Sequence, residues 1–171
     1  GYTNAGKSTL FNSLTGNNVY VKNQLFATLD TTVRKLKLNK KHQVLISDTV
    51  GFIRKLPHNL VASFKSTLKE VLEANHVLIV LDASSIIIDE HLETISQVLN
   101  KLGASEIPKS YIFNKIDLVE NEIDLKKLKS NYSNAILTSA LHHLRLDDVK
   151  DHLIEKIEDD FNVFDLNISY E

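Results

Sequence analysis

Gly1-Tyr2-Thr3-Asn4-Ala5-Gly6-Lys7-Ser8 reads G-x-x-x-x-G-K-[ST] without a gap. Each residue type has a chemical reason. Glycines let consecutive backbone N–H groups converge on a phosphate, a lysine reaches the terminal phosphate oxygens, and a serine hydroxyl ligates Mg²⁺ while a helix N-terminus faces the anion. At average residue frequencies, such a string arises by chance in a chain of this length with a probability of roughly 0.6%. Of the 5 glycines, Gly1, Gly6 and Gly51 fall in phosphate motifs, and Gly16 and Gly103 stand where helices should stop.

Asp48-Thr49-Val50-Gly51 follows the apolar run Val44 to Ile46. D-x-x-G alone is expected about 0.7 times by chance in such a chain, so its weight comes from the strand-end placement. There Asp48 would hold a magnesium-bound water and the Gly51 N–H would bond the terminal phosphate. Asn114-Lys115-Ile116-Asp117 also directly follows an apolar run. A carboxylate such as Asp117 accepts two hydrogen bonds from guanine, at N1–H and the exocyclic amine, whereas adenine offers an acceptor at N1 and nothing beside it. N-K-x-D is expected about 0.02 times by chance. Ser139-Ala140-Leu141, after the run Ala135 to Leu137, is expected to complete the base pocket through a backbone N–H.

The expected ligand is therefore GTP or GDP with Mg²⁺. Nucleotide contacts are expected from Gly1, Tyr2, Thr3, Asn4, Ala5, Gly6, Lys7, Ser8 and Thr9, from Asp48 to Gly51, from Asn114 to Asp117, and from Ser139 to Leu141. Thr28, in the polar stretch Asn17 to Thr31, stands where a switch loop should offer a hydroxyl to the metal beside Ser8 and Asp48, although spacing does not choose it over Thr31 or Thr32. Lys7, Thr28, Gly51 and Asn4 form the expected catalytic set. The residue after D-x-x-G, often a Gln that orients the attacking water, is Phe52, which cannot hydrogen-bond; slow hydrolysis without an activator follows. Asn4 stands where related phosphate loops help hold K⁺, and equal rates in K⁺ and Na⁺ would refute that role. Arg54 reads as surface. So do the adjacent His142 and His143, which have no second cluster of metal ligands near them in sequence. Lys35, Lys37, Lys40 and Lys41 read first as a solvated strand edge and second as an RNA contact.

The elements that must position these residues alternate along the chain. Leu10, Phe11 and Leu14 predict a helix over Lys7 to Leu14. Val33 to Leu38 and Gln43 to Ser47 flank a polar turn and read as a strand pair, and Leu60 to Leu72 has helical spacing. Val77 to Leu81, Tyr111 to Phe113 and Ala135 to Leu137 read as buried parallel strands. Helical patterns separate them at Glu90 to Leu102 and Leu125 to Leu128. A last helix runs from Leu146 to Ile157, and Val163 to Ile168 reads as an extended exit. The fold expected is α/β, a mostly parallel sheet with helices on both faces, in one domain over residues 1–162, with 163–171 opening a C-terminal extension.

Composition agrees with a packed domain. The 171 residues are 43% hydrophobic and 25% charged, with 20 Lys+Arg against 22 Asp+Glu, so no global basic field announces nucleic acid. Cys is 0, which excludes a disulfide scaffold, and no apolar run approaches the roughly 18 residues of a membrane span. A cytoplasmic, monomeric protein is expected. The chain starts at Gly1 and holds no Met, so it reads as a piece of a longer protein whose first strand precedes Gly1. Without that strand the isolated piece is expected to be unstable.

Gly1 to Leu14 (GYTNAGKSTLFNSL), Phe26 to Asp30 (FATLD), Asp48 to Pro57 (DTVGFIRKLP) and Asn114 to Leu118 (NKIDL) resemble the GTPase domain of the HflX family over nearly the whole chain. The resemblance implies that Thr28 serves Mg²⁺ in switch I and that Phe26, Ala27, Thr28, Leu29 and Asp30 contact nucleotide. It also implies association with the large ribosomal subunit, stimulation of hydrolysis there, and splitting of stalled or idle ribosomes under stress. One departure is Asp30-Thr31-Thr32, where the family has Asp-Pro-Thr-Thr. Competing readings are a binding module whose output is nucleotide occupancy, which Phe52 favours, and a tRNA-modification type of GTPase, against which FATLD and FIRKLPH argue.

Overall fold

Leu10, Phe11 and Leu14 are the buried residues of a nine-residue helix, α1 (Lys7–Thr15), which opens at Gly6 and is closed at Gly16, whose N–H donates to Asn12 O. The computed structural model describes residues 1–16, 32–49, 51, 70–132 and 135–160. After α1 come β1 (Thr32–Lys37) and β2 (Gln43–Asp48), an antiparallel pair in register from Thr32 opposite Asp48 to Lys37 opposite Gln43. Their turn is set by Asn39, whose side-chain oxygen accepts from the N–H groups of Lys41 (2.8 Å) and His42 (2.7 Å), the local bonding that favours Asn in turns.

A parallel sheet follows, in the order β3 (Val77–Asp82), β4 (Lys109–Asn114), β5 (Ile136–Leu137). The connections carry α2 (Ile88–Leu102) and α3 (Glu122–Asn131), and α4 (Leu146–Asp160) comes last. Strand alternation sorts the core into two layers. Ile79 and Leu81 of β3 and Phe113 of β4 pack with Ile95 and Leu99 of α2. Val80 and Ile112 face the other way, toward Leu10 and Leu14 of α1 and Val149 and Leu153 of α4. Burying a side chain such as Phe113 or Ile112, both fully covered, contributes about 1.5–3 kcal/mol, and these layers fix the height of every strand end.

The α/β sheet with helices on both faces is as the sequence predicts, with shifted boundaries. β4 begins at Lys109, two residues ahead of the apolar run, because buried Ser110 is satisfied: its hydroxyl lies 2.8 Å from His76 Nε2 and 2.6 Å from His152 Nε2. The helical spacing of Leu60 to Leu72 falls outside the described residues except at its end, where 70–72 are helical and Val71 is buried. The expected switch loop, Asn17 to Thr31, and the exit at Val163 to Ile168 also lie outside them. Among the described residues no helix is long and apolar enough to cross a membrane.

Asp82 and Asn114 are register partners at the carboxyl ends of β3 and β4, and Thr138 and Ser139 follow β5 directly. Polar residues therefore gather at one edge of the sheet, where open α/β folds bind their ligands.

Candidate functional site

The Gly1–Ser8 loop curls ahead of α1. Gly6 stands at φ 89, and a Cβ there would run into the Asn114 side-chain nitrogen, so both the backbone angle and the close approach require glycine. Asn4 also adopts a left-handed angle, φ 62, which Asn tolerates better than most residues. Lys7 folds back so that its Nζ donates to Tyr2 O at 3.1 Å. Burial pushes the Lys7 ammonium down to about 8, against the opposing pull of the Asp48 charge. Beside it Ser8 Oγ donates to the buried Asp48 carboxylate at 2.6 Å, across 40 residues of sequence. Gly51 completes this end: a Cβ on it would lie 2.8 Å from Lys7 Nζ and 2.8 Å from Thr3 Cα. The G-x-x-x-x-G-K-S and D-x-x-G stretches thus converge, with Thr9 and Thr49 half-buried at their flanks.

Asn114 joins this loop to the other end of the site. Its Nδ2 donates to Ala5 O at 3.0 Å, and its Oδ1 accepts from the Ala140 N–H at 2.9 Å. The Ala140 N–H, within the stretch the sequence assigns to the base pocket, thus has Asn114 as its partner in this structure. Ser13 Oγ of α1 donates to Ala140 O at 2.8 Å, a second tie between the phosphate loop's helix and the Ser139–Leu141 stretch. Ser139 and Ala140 are buried, while Leu141 is exposed.

Lys115 takes a left-handed angle, φ 65, and its Nζ pairs with Asp82 Oδ2 at 2.6 Å. Asp82 Oδ1 accepts from the Ser84 N–H (3.0 Å) and hydroxyl (2.6 Å). Burial works to raise the Asp82 carboxyl, but the bonds from Lys115 and Ser84 outweigh it and hold it below its ordinary value. The Ile116 N–H donates to Thr138 O at 3.2 Å, and the short 3₁₀ turn Ile116–Leu118 carries Asp117. Tyr2 stacks on His91 of α2, with ring centroids 3.9 Å apart.

Two contacts were missed at the sequence level. Asp82 directly follows the apolar run Val77 to Leu81, but nothing in its sequence neighbourhood identifies Lys115 as its partner. His142, read as solvated surface, lies with Nε2 3.6 Å from Asp117 Oδ2. Among the described residues, no group of three or more His, Asp or Glu side chains is placed to hold a metal ion. Phe26, Ala27, Thr28, Leu29, Asp30 and Val50 of the expected set, with Phe52 and Arg54, lie outside them.

A family model described as 50S ribosome-binding GTPase matches residues 1–115. The chain is 49% identical over 158 residues to the GTPase HflX of Caldanaerobacter subterraneus subsp. tengcongensis, covering 92% of this chain and 35% of that protein. It is 46% identical over 141 residues to the GTPase HflX of Escherichia coli (strain K12), covering 82% of this chain and 33% of that one. It thus spans about a third of the length of these relatives. A GTP-binding protein from Sulfolobus solfataricus in complex with GDP superposes with a TM-score of 0.71 at 28% identity, over 92% of this chain and 50% of its own. The chain belongs to the 50S ribosome-binding GTPase family, and the relatives it matches within that family are GTPases HflX, as the motifs FATLD and DTVGFIRKLP implied.

Proposed function

We propose that the protein is a GTP-binding and GTP-hydrolysing switch that acts as a monomer in the cytoplasm on the large ribosomal subunit and takes part in splitting or rescuing ribosomes under stress. One observation carries the chemical part. Lys7, the Ser8–Asp48 pair and the Asn114–Asp117 stretch lie at the carboxyl ends of the strands, with Asn114 tied to the Gly1–Ser8 loop through Ala5, which supports a phosphate end and a base end of one site. The family description and the HflX relatives support the ribosomal part.

In this reading the backbone N–H groups of the Gly1–Ser8 loop and the N-terminus of α1 hold the phosphates, and Lys7 places its charge on their terminal oxygens. Its lowered proton affinity is reversed by the bound anion, so the nucleotide keeps Lys7 charged. The Gly51 N–H senses the γ-phosphate, and Asp117 accepts from the guanine edge while Asn114 and Lys115 hold its loop. A hydroxyl and a carboxylate 2.6 Å apart, Ser8 and Asp48, are hard oxygen donors that fit Mg²⁺, with Thr28 as the third proposed ligand. When bound, the ion neutralises charge building on the phosphate oxygens. Asn4, at a left-handed angle that asparagine tolerates, is the loop residue that would help hold a K⁺ ion.

Phe52 offers nothing to orient an attacking water, so turnover is slow until an activator supplies that help. The same residue favours a second reading, a module whose output is nucleotide occupancy. GTP turnover by the full protein with and without large ribosomal subunits separates them. Strong stimulation supports the ribosome-coupled switch. Tight guanine-nucleotide binding with unchanged slow turnover supports the occupancy module.

A further inference from the structure

Asp117 and His142 sit on different loops, after β4 and after β5, yet His142 Nε2 comes within 3.6 Å of Asp117 Oδ2. The His142 side chain is 56% exposed and the Asp117 side chain 17%, so the imidazole approaches a sheltered carboxylate from solvent. The loop that aims it is tightly constrained. Ser139 and Leu144 exchange two backbone hydrogen bonds, 3.1 and 2.9 Å, and Thr138 Oγ1 adds a third to Leu144 O at 2.7 Å. Inside that clamp the His142 N–H donates to Ser139 Oγ at 3.3 Å, and His143 and Arg145 take left-handed angles, φ 55 and φ 58. Strained angles on non-glycine residues persist where the surroundings over-determine them, and here they fix where His142 stands.

We propose that His142 sets the affinity of the base site, its protonated ring competing with guanine for the Asp117 carboxylate. This rests on the reading of Asp117 as the guanine acceptor. Guanine needs both carboxylate oxygens, one for N1–H and one for the exocyclic amine, and both are neutral donors. An imidazolium is a charged donor to one of those oxygens and is the stronger partner for it. A neutral imidazole lacks that advantage. Imidazole charge changes across the physiological range, so the competition follows pH.

Among the described residues, two cations of these loops have carboxylate partners of their own. Lys115, at the entrance of the Asp117 turn, is held by Asp82, and Arg145 pairs with Asp148 of α4 at 2.8 Å. His143 is the remaining titratable group of the loop, and Asp117 is the group that faces His142 from the turn after β4.

The test is the affinity of fluorescent GDP for the full chain between about pH 5.5 and 7.5, in the wild type, His142→Gln and His142→Lys. The exposed ring and the backbone nature of its loop contact let these substitutions fold. Relative to His142→Gln, which shares any titration of the nucleotide phosphate, the wild type is expected to lose about fivefold in affinity toward the acid end, the scale of a partly exposed ion pair. His142→Lys should bind at pH 7.5 as weakly as the acid wild type. Parallel profiles for wild type and His142→Gln, or tight binding by His142→Lys, overturn the role of His142 and leave the base site standing. Absence of GDP binding by all three folded proteins overturns the base site itself, and this role with it.

Discussion

Asn114 reaches 109 residues back along the chain to Ala5, its Nδ2 donating to the Ala5 carbonyl at 3.0 Å, while its Oδ1 accepts from Ala140 at 2.9 Å. One carboxamide therefore joins the phosphate loop to both base-side loops in the buried interior. Asn114→Ala leaves a carbonyl and an N–H without these bonds, each worth about 1–3 kcal/mol when buried. Urea denaturation of the ligand-free chain should show a loss of about 3 kcal/mol, and GDP binding should weaken in parallel.

Lys7 makes stability depend on pH in the alkaline range. Its folded value, about 8, lies below the ordinary lysine value of 10.5, so the unfolded chain binds more protons between the two. Stability of the ligand-free fold therefore rises with pH across that window, by about 3 kcal/mol from this group, and is flat in it above and below. Lys7→Met should abolish the rise and give a more stable apo protein that no longer holds GDP. Denaturation midpoints at pH 7.5 and 10 for both proteins check this. A wild-type stability that falls relative to Lys7→Met over the window would contradict it.

His143→Gly should stabilise the chain, because a left-handed angle costs an L-residue about 1–2 kcal/mol and glycine almost nothing, less the entropy that glycine adds to the unfolded chain. A net gain of about 1 kcal/mol, seen as a rise of a few degrees in melting temperature, is expected. Arg145→Gly relieves the same strain but gives up the exposed pair with Asp148, so its gain should be smaller.

Asp82→Ala removes the 2.6 Å partner that keeps Lys115 in place on a backbone it does not favour. Guanine-nucleotide affinity should fall about tenfold, with little change in kcat at saturating GTP, because the substitution loosens the base loop and leaves the phosphate end intact. Steady-state kinetics separates the two constants. The Asp82 carboxyl is held below its ordinary value, so the stability it contributes is present above the unfolded value and is lost as pH falls through the acid range.

The Gly1–Ser8 loop was legible as a shape because its residue types carry their own chemistry: Gly6 supplies the left-handed turn, Lys7 a charge and Ser8 a hydroxyl. The start of β4 was less legible. Lys109 and Ser110 are polar, and a strand read from apolar runs begins only at Tyr111; two histidines, one before β3 and one on α4, make Ser110 acceptable in the interior. Asp82 follows the apolar run of β3 in the sequence, but its pairing with Lys115 depends on β3 and β4 lying side by side in register.

By itself the amino-acid sequence determined the alternation of elements, the glycine-dependent loop and the family, because each rests on local residue types at short spacing. Only the tertiary structure decided that Asn114 binds Ala5 and Ala140, that Asp82 anchors Lys115, and that His142 faces Asp117. Those contacts join segments far apart in the chain. Their distances follow from sheet register and from how the two core layers set the heights of the strand ends, and no local pattern encodes either.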